Sequence, residues 1–341
     1  MNAIQLNQPG ELVRIQIPEP GMPGPGEALV AVHSLGICGT DIHAFHGRQP
    51  FFSYPRILGH ELGVEVLEVG REVGNVAPGD RCAVEPYLNC GMCPSCRRGR
   101  GNCCVAMRVL GVHVDGGMRG RMLVPATKLH PGAGLGYDAL ALVEPLAIGS
   151  HAVERAAVAA GDNVLVIGAG PIGLAVMTFA RLAGGRVIAM DVDATRLAYC
   201  RDVHGVDGTV MAGAVDIEPA VRARCGGDLP HVVFDATGNP SSMAAAFAYT
   251  AHAGRLIFVG LFQGDVTFHD PSFHSKELTL LASRNALGRD FTTIIAAMES
   301  GDIDVMPWIT HRALLMELPE IFDSWTGRES LVVKAVVEIN S

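Results

Sequence analysis

The sequence predicts an α/β chain in which a β-rich first domain precedes a doubly wound parallel sheet. Length and composition are the first observation. The 341 residues suggest about two domains, and 49% hydrophobic against 18% charged residues is ample for sizeable cores. Texture is the second. Up to about residue 147 the chain is rich in Gly and Pro, with short alternating or apolar runs between turn signals. The third is the change after Pro145, where apolar runs of strand length alternate with helical stretches, the mark of βαβ units.

In the first part, residues 28–32 and 64–69 read as strands, and the cysteine-rich loop near residues 90–104 is an excursion from them. In the second part, 163–167 is a strand, 171–183 a helix, 186–190 a strand and 194–204 a helix. Residues 231–235 and 255–260 are further strands, separated by an Ala-rich helix over 241–253. These strands are continuous apolar runs, as expected of a parallel sheet covered on both faces. Residues 163–180 carry no formal charge and are about long enough to span a bilayer. Gly168, Gly170, Pro171 and Gly173 break that run, so strand, turn and helix explain it better. The pattern fades after about residue 283, leaving a helix over 291–300 and a strand over 331–339 that we expect to return to the first domain. The expected division is 1–147 with 285–341, and 148–284.

Nine cysteines are present, and Cys90, Cys93, Cys96 and Cys104 have the spacing C-x2-C-x2-C-x7-C. That density suits a tetrahedral four-cysteine zinc site; a disulfide cluster and an iron–sulfur site are the alternatives. An odd cysteine count with one metal-like cluster fits a reducing cytoplasm. A net charge of −9 argues against nucleic acid or an anionic membrane as partner. Residues 1–10 lack the basic region and apolar core of a signal peptide.

The run Val164-Leu-Val-Ile-Gly168-Ala-Gly170-Pro171-Ile172-Gly173 is a strand entering G-x-G-x-x-G, with Asp191 closing the next strand 23 residues after Gly168. In that context the motif is a dinucleotide-binding turn of a Rossmann domain. Gly168 allows the tight turn, Gly170 lets backbone approach a pyrophosphate, and Gly173 lets the helix pack closely. The helix N-terminus favours phosphate. Asp191 accepts from ribose hydroxyls and repels a 2′-phosphate, which favours NAD. Arg196 either packs over adenine or is a helix-surface charge.

Cys38, His60 and a carboxylate, Glu61 or Glu144, supply the thiolate, imidazole and carboxylate of a mixed zinc site with one open position, where zinc lowers the pKa of an alcohol oxygen. With Gly36-Ile-Cys38-Gly-Thr40-Asp41-Ile-His43, Gly59-His60-Glu61 and Val143-Glu144-Pro145, the chain resembles zinc-dependent medium-chain alcohol dehydrogenases of the polyol and threonine dehydrogenase branch. The resemblance covers essentially the whole length. It implies a GroES-like catalytic domain, a Rossmann domain inserted before the tail, two zincs per subunit and a homotetramer or homodimer. It makes Cys38 and His60 ligands, with Glu61 and Glu144 taking turns as the third or one of them acting through water, and Asp41 orienting the site. It gives Thr40 the substrate's hydroxyl proton, passed through the nicotinamide ribose to His43 and solvent.

Residues 47–56, 111–117, 260–262 and 283–286 are similar to bacterial hexonate dehydrogenases that oxidise C5 of L-galactonate or L-gulonate. A sugar acid needs a cation for its carboxylate, and Arg48, Arg56, Arg284 and His113 are the candidates. Phe51, Phe52 and Tyr54 either line the pocket or belong to the core. The rivals are sorbitol-type polyols and L-threonine as substrates, a zinc-free reductase, and a non-enzymatic protein that kept the fold. Intact Cys38, His60 and four-cysteine loop speak against the reductase, and intact ligands and glycine turn against the non-enzymatic protein.

Overall fold

A computed structural model describes residues 1–49, 52–213, 217–327 and 332–340. Phe51, and Leu331 at the start of the expected last strand, lie outside the described residues. The chain divides into two units, Met1–Glu144 with Leu287–Ser341, and Pro145–Ala286.

The first unit opens with the antiparallel pair β1 (Asn2–Gln8) and β2 (Glu11–Gln16). There follow β3 (Glu27–Gly36), α1 (Gly39–Phe45), β4 (Glu61–Val69), β5 (Arg81–Val84) and β6 (Tyr87–Leu88). The short α2 (Pro94–Arg97) lies in the cysteine loop, which β7 (Arg108–Val109) closes by pairing with β6. Then come β8 (Arg121–Pro125), β9 (Leu129–Pro131) and α3 (Tyr137–Ala141). Helix α4 (Val143–Ala156) starts at the division, with Glu144 in its first turn.

In β3 and β4, valines alternate with polar or smaller residues, and this puts Val30, Val32, Val64 and Val66 in the core at 0% exposure. Gly63 in β4 has a specific reason. A Cβ there would lie 2.0 Å from the Tyr137 carbonyl oxygen, so α3 can lie on the strand only over glycine. That contact carries the α3–α4 junction, and Glu144 with it, toward the start of β4.

The second unit is a six-stranded parallel sheet. Its elements are β10 (Asn163–Ile167), α5 (Pro171–Leu182), β11 (Arg186–Asp191), α6 (Ala194–Asp202), β12 (Gly208–Met211), α7 (Ile217–Arg224), β13 (Val232–Asp235), α8 (Pro240–Tyr249), β14 (Arg255–Phe258), α9 (Asp270–Ser275) and β15 (Thr279–Ala282). The order β12-β11-β10-β13-β14-β15 is doubly wound, reversing direction beside β10. Its inner strands are buried on both faces: Val164, Leu165, Val187, Ile188, Val232, Val233 and Phe234 are all at 0%.

Several expected elements are shorter, among them the last strand, Lys334–Glu338 against the expected 331–339. The helix expected to reach 253 ends at Tyr249, because Thr250 turns to extended backbone (ψ 133°). The helix expected to reach 204 ends at Asp202, and the strand expected to reach 260 ends at Phe258. The outer strands β12 and β15 have no counterpart among the expected elements. Edge strands are buried on less of their surface, so their apolar pattern is weaker.

The chain re-enters the first unit with α10 (Gly288–Glu299), β16 (Ile309–Leu314), α11 (Leu318–Ile321) and β17 (Lys334–Glu338). Strand β17 pairs antiparallel with β3 and parallel with β16, so the tail extends a seven-stranded sheet in the order β16-β17-β3-β4-β5-β9, with β8 also on β3. Among the described residues, no helix is long and apolar enough to cross a membrane.

Phe234→Ala should cost the second unit about 3–5 kcal/mol, since it empties a fully enclosed ring site. Urea unfolding followed by circular dichroism should show the lower midpoint.

Candidate metal centre and dinucleotide turn

Strand β3 ends at Gly36, and two residues later Cys38 is the N-cap of α1. The side chain of Asp41 in the first turn of that helix accepts the Cys38 backbone N–H at 2.9 Å, which fixes how the thiol leaves the chain. His60 stands immediately before β4, and Glu61 is its first residue. Gly36 and Glu61 face each other across the ladder. A Cβ on Gly36 would fall 2.0 Å from Glu61 Oε2, so the glycine makes the space in which the carboxylate sits.

The Cys38, His60 and Glu61 ligand atoms lie within 4.8 Å of one another. Glu144 stands outside that group and accepts a hydrogen bond from the Tyr87 hydroxyl. His60, Glu61, Asp41 and Glu144 are all buried. His60 Nδ1 is 3.8 Å from Asp41 Oδ1, beyond hydrogen-bond range, and neither atom has a hydrogen-bond partner.

One residue in this pocket was not anticipated. Lys334 of β17, 2% exposed, donates to Glu61 Oε1 at 2.5 Å and to the Ile37 carbonyl at 3.0 Å. Its signal is faint: a single cation within the apolar run Val332-Val333-Lys334-Ala335-Val336-Val337. Nothing in that run says which distant carboxylate it meets.

The electrostatics are lopsided. Burial pushes the pKa values of Asp41 and Glu144 up, and the His60 charge opposes this in both. For His60, burial works against protonation, but Cys38 and Asp41 outweigh it and lift the pKa well above its ordinary value. Lys334 follows the same logic: burial disfavours its charge, while Glu61 and then Cys38 more than compensate. Burial, followed by Glu144, drives the Tyr87 pKa far up, so the phenol remains a donor. Three carboxyl groups and a thiol thus lie together with one ammonium and one imidazole, all but the thiol buried. The thiol, the imidazole and the adjoining carboxylates are a donor set that fits a dication held by Cys38, His60 and a carboxylate.

The sulfurs of Cys90, Cys93, Cys96 and Cys104 also lie within 4.8 Å of one another. Cys93 and Cys96 are 3.5 Å apart, against ~2.05 Å for a disulfide, and all nine cysteines are free. Amide hydrogens from Cys96 and Val105 pull the Cys93 thiol down to about 6, those of Met92 and Cys93 lower Cys90, and Cys104 is raised. The set fits one tetrahedral ion. Cys82 and Cys200 are buried and pushed up to about 12, Cys225 is also buried, and Cys103 is exposed.

In the second unit, Gly168 has φ +99°. A Cβ on Gly173 would stand 1.8 Å from the Gly168 carbonyl oxygen, which only glycine avoids. Gly170 caps α5, with Pro171 and Ile172 in its first turn, and nothing but the Arg196 guanidinium, at 3.4 Å, approaches its open side. That leaves the amides of the turn open to a phosphate, with Arg196 beside them. Asp191 at the end of β11 accepts the backbone N–H of Ala169 at 2.6 Å and of Asp193 at 2.9 Å. Its carboxylate has acceptor capacity left for a ribose hydroxyl.

The other expected site residues are dispersed. Thr40 and His43 lie three apart on α1, and so share a face. Burial, then the Arg48 and His46 charges, hold the His43 pKa below its ordinary value. Arg56 is engaged with Asp115 at 3.2 Å and Ser53 at 3.0 Å. His113 accepts the Val109 N–H at 3.1 Å, and Arg284 is exposed after β15. Phe52 and Tyr54 pack on the core of the first unit.

Lys334→Met should destabilise the protein by about 3–5 kcal/mol, because Glu61 is left charged and buried. The double variant Lys334→Met/Glu61→Gln should recover most of that loss in thermal unfolding. Equal losses in the single and double variants would show that the charge is not the cause.

Two family models match the chain: the alcohol dehydrogenase GroES-like domain over residues 24–134, and the zinc-binding dehydrogenase domain over residues 171–300. The chain is 42% identical to L-galactonate-5-dehydrogenase of Escherichia coli K12 over 337 residues, 99% of this chain and 98% of that one. The solved structure of the rspB alcohol dehydrogenase of E. coli CFT073, complexed with NADH, superposes with a TM-score of 0.92 at 28% identity, covering 99% of both chains. A zinc-binding dehydrogenase from Sinorhizobium meliloti 1021 bound to NADP gives 0.90 at 31% identity, covering 99% of this chain and 98% of the other. With both domain models matched and that identity along nearly its whole length, the chain belongs to the zinc-type alcohol dehydrogenase family and is an oxidoreductase.

Proposed function

We propose that this protein oxidises the C5 hydroxyl of L-galactonate or L-gulonate to the 5-keto acid with NAD. The 42% identity to L-galactonate-5-dehydrogenase over 99% of the chain carries the reading. Cys38 and His60 hold the catalytic zinc, with Glu61 or Glu144 as third ligand; Cys90, Cys93, Cys96 and Cys104 hold the structural one. When bound, the catalytic zinc polarises the substrate oxygen and lowers its pKa. Thr40 takes the hydroxyl proton and His43, one turn further along α1, passes it to solvent while hydride leaves for the nicotinamide. A His43 pKa below the ordinary value keeps the imidazole neutral and able to accept.

Of the candidate cations, Arg48 is the one we assign to the sugar-acid carboxylate. It is exposed just after α1, its backbone N–H bonded to the His43 carbonyl at 2.8 Å, whereas Arg56 is already engaged. Asp191 supports NAD over NADP. We further propose a homotetramer of the cytoplasm, with the exposed edge strand β15 and its Leu280 (37% exposed) as a subunit contact.

The test is NAD reduction by purified, zinc-replete protein offered L-galactonate, L-gulonate, D-sorbitol and L-threonine in parallel. A hexonate should be preferred; preference for sorbitol or threonine would sink the substrate assignment. Asp191→Ser should erode the preference for NAD over NADP by roughly tenfold in kcat/KM, about 1.4 kcal/mol of discrimination. In pH–rate profiles, His43→Gln should lower kcat/KM by roughly 10²-fold. Arg48→Gln should raise KM for the hexonate and move the acid limb to higher pH, since removing a neighbouring positive charge raises the His43 pKa.

A further inference from the structure

The segment from Glu85 to Cys90 touches both metal clusters. Glu85, Tyr87 and Asn89 form one row of contacts, with the Asn89 backbone N–H on the Tyr87 carbonyl at 3.1 Å. Tyr87, 2% exposed, donates to Glu144 beside the Cys38–His60 pocket. Asn89 donates its amide to Cys96 Sγ at 3.6 Å, and the next residue, Cys90, donates its backbone N–H to Cys104 Sγ at 3.3 Å. Lys128 ties the row together, bonding Asn89 Oδ1 at 2.9 Å and pairing with Glu85. Glu85 also meets His130 Nε2 at 3.3 Å. The His130 ring stacks on Phe291 at 4.9 Å, and Phe291 stands edge-on to Tyr87 at 6.4 Å. The loop closes on itself through polar and aromatic contacts, and the β6–β7 pairing holds its base.

We propose that the two metal sites are coupled through this row. An ion in the four-cysteine cluster fixes Cys96, hence Asn89; this sets Tyr87 on Glu144, and so the donor geometry around Cys38 and His60. Asn89 and Tyr87 are positioning residues, and neither is a ligand. Because coupling in binding is reciprocal, a filled Cys38–His60 site also tightens the cysteine cluster. The proposal rests on the reading of both clusters as metal sites and is independent of the substrate.

The experiment uses the full-length protein without substrate. The four-cysteine site is loaded with zinc and the Cys38–His60 site with cobalt(II); affinity at the latter is read by competition with a chromophoric chelator, and its geometry by the visible cobalt bands. Asn89→Ala should weaken cobalt binding roughly three- to tenfold, the effect of losing one hydrogen bond, and shift the bands. Tyr87→Phe should do the same, and the double variant should show no further loss, because both act through one chain. Lys128→Met, which releases Asn89 while leaving all four cysteines in place, is the second route if Asn89→Ala does not fold. Unchanged affinity and bands in Asn89→Ala or Lys128→Met, or full additivity with Tyr87→Phe, would overturn the coupling. A protein preferring a different alcohol would leave these readouts as they are.

Discussion

The Glu61–Lys334 pair is the interaction on which the candidate metal centre depends. Glu61 begins β4, and Lys334 lies 273 residues later on β17. Charge must be balanced in a dry pocket, because an uncompensated buried ion costs several kcal/mol. The pocket gathers Asp41, Glu61, Glu144 and Cys38, so without the ammonium Glu61 would lose its buried partner among other acidic groups. With Lys334 satisfied by Glu61 and the Ile37 carbonyl, the remaining donors suit a divalent cation. The pair also explains why the tail returns to the first unit: β17 delivers a charge as well as a strand.

Small residues do comparable work by making space. Gly36 leaves room for the Glu61 carboxylate, and Gly63 admits α3, which brings Glu144 toward β4. In the second unit, the missing side chain of Gly173 lets α5 start against the Gly168 carbonyl, and Asp191 braces the turn by accepting from Ala169. In each case a close approach of backbone or carboxylate demands glycine.

Much of the fold was legible because its signals are local. Apolar runs of strand length, the strand-turn-helix context of Gly168 to Gly173, and four cysteines within fifteen residues each need only a short window. The edge strands β12 and β15 were not legible, since partial exposure dilutes the apolar pattern. Helix ends were misplaced where no Gly or Pro marks them, as at Thr250. No local pattern marks Tyr87, and its role as a donor to Glu144 comes from a contact 57 residues away.

The sequence by itself determined the residue types and spacings that a metal or a dinucleotide requires: the cysteine cluster, Cys38 with His60, and the glycine turn with Asp191. Chemistry constrains those choices whatever the surroundings. Tertiary structure decided which charges meet. It paired Lys334 with Glu61, set Tyr87 on Glu144, engaged Arg56 with Asp115, and left Arg48 exposed beside α1. Such pairings follow from strand register and burial over long chain separations, and no local pattern of residues encodes them.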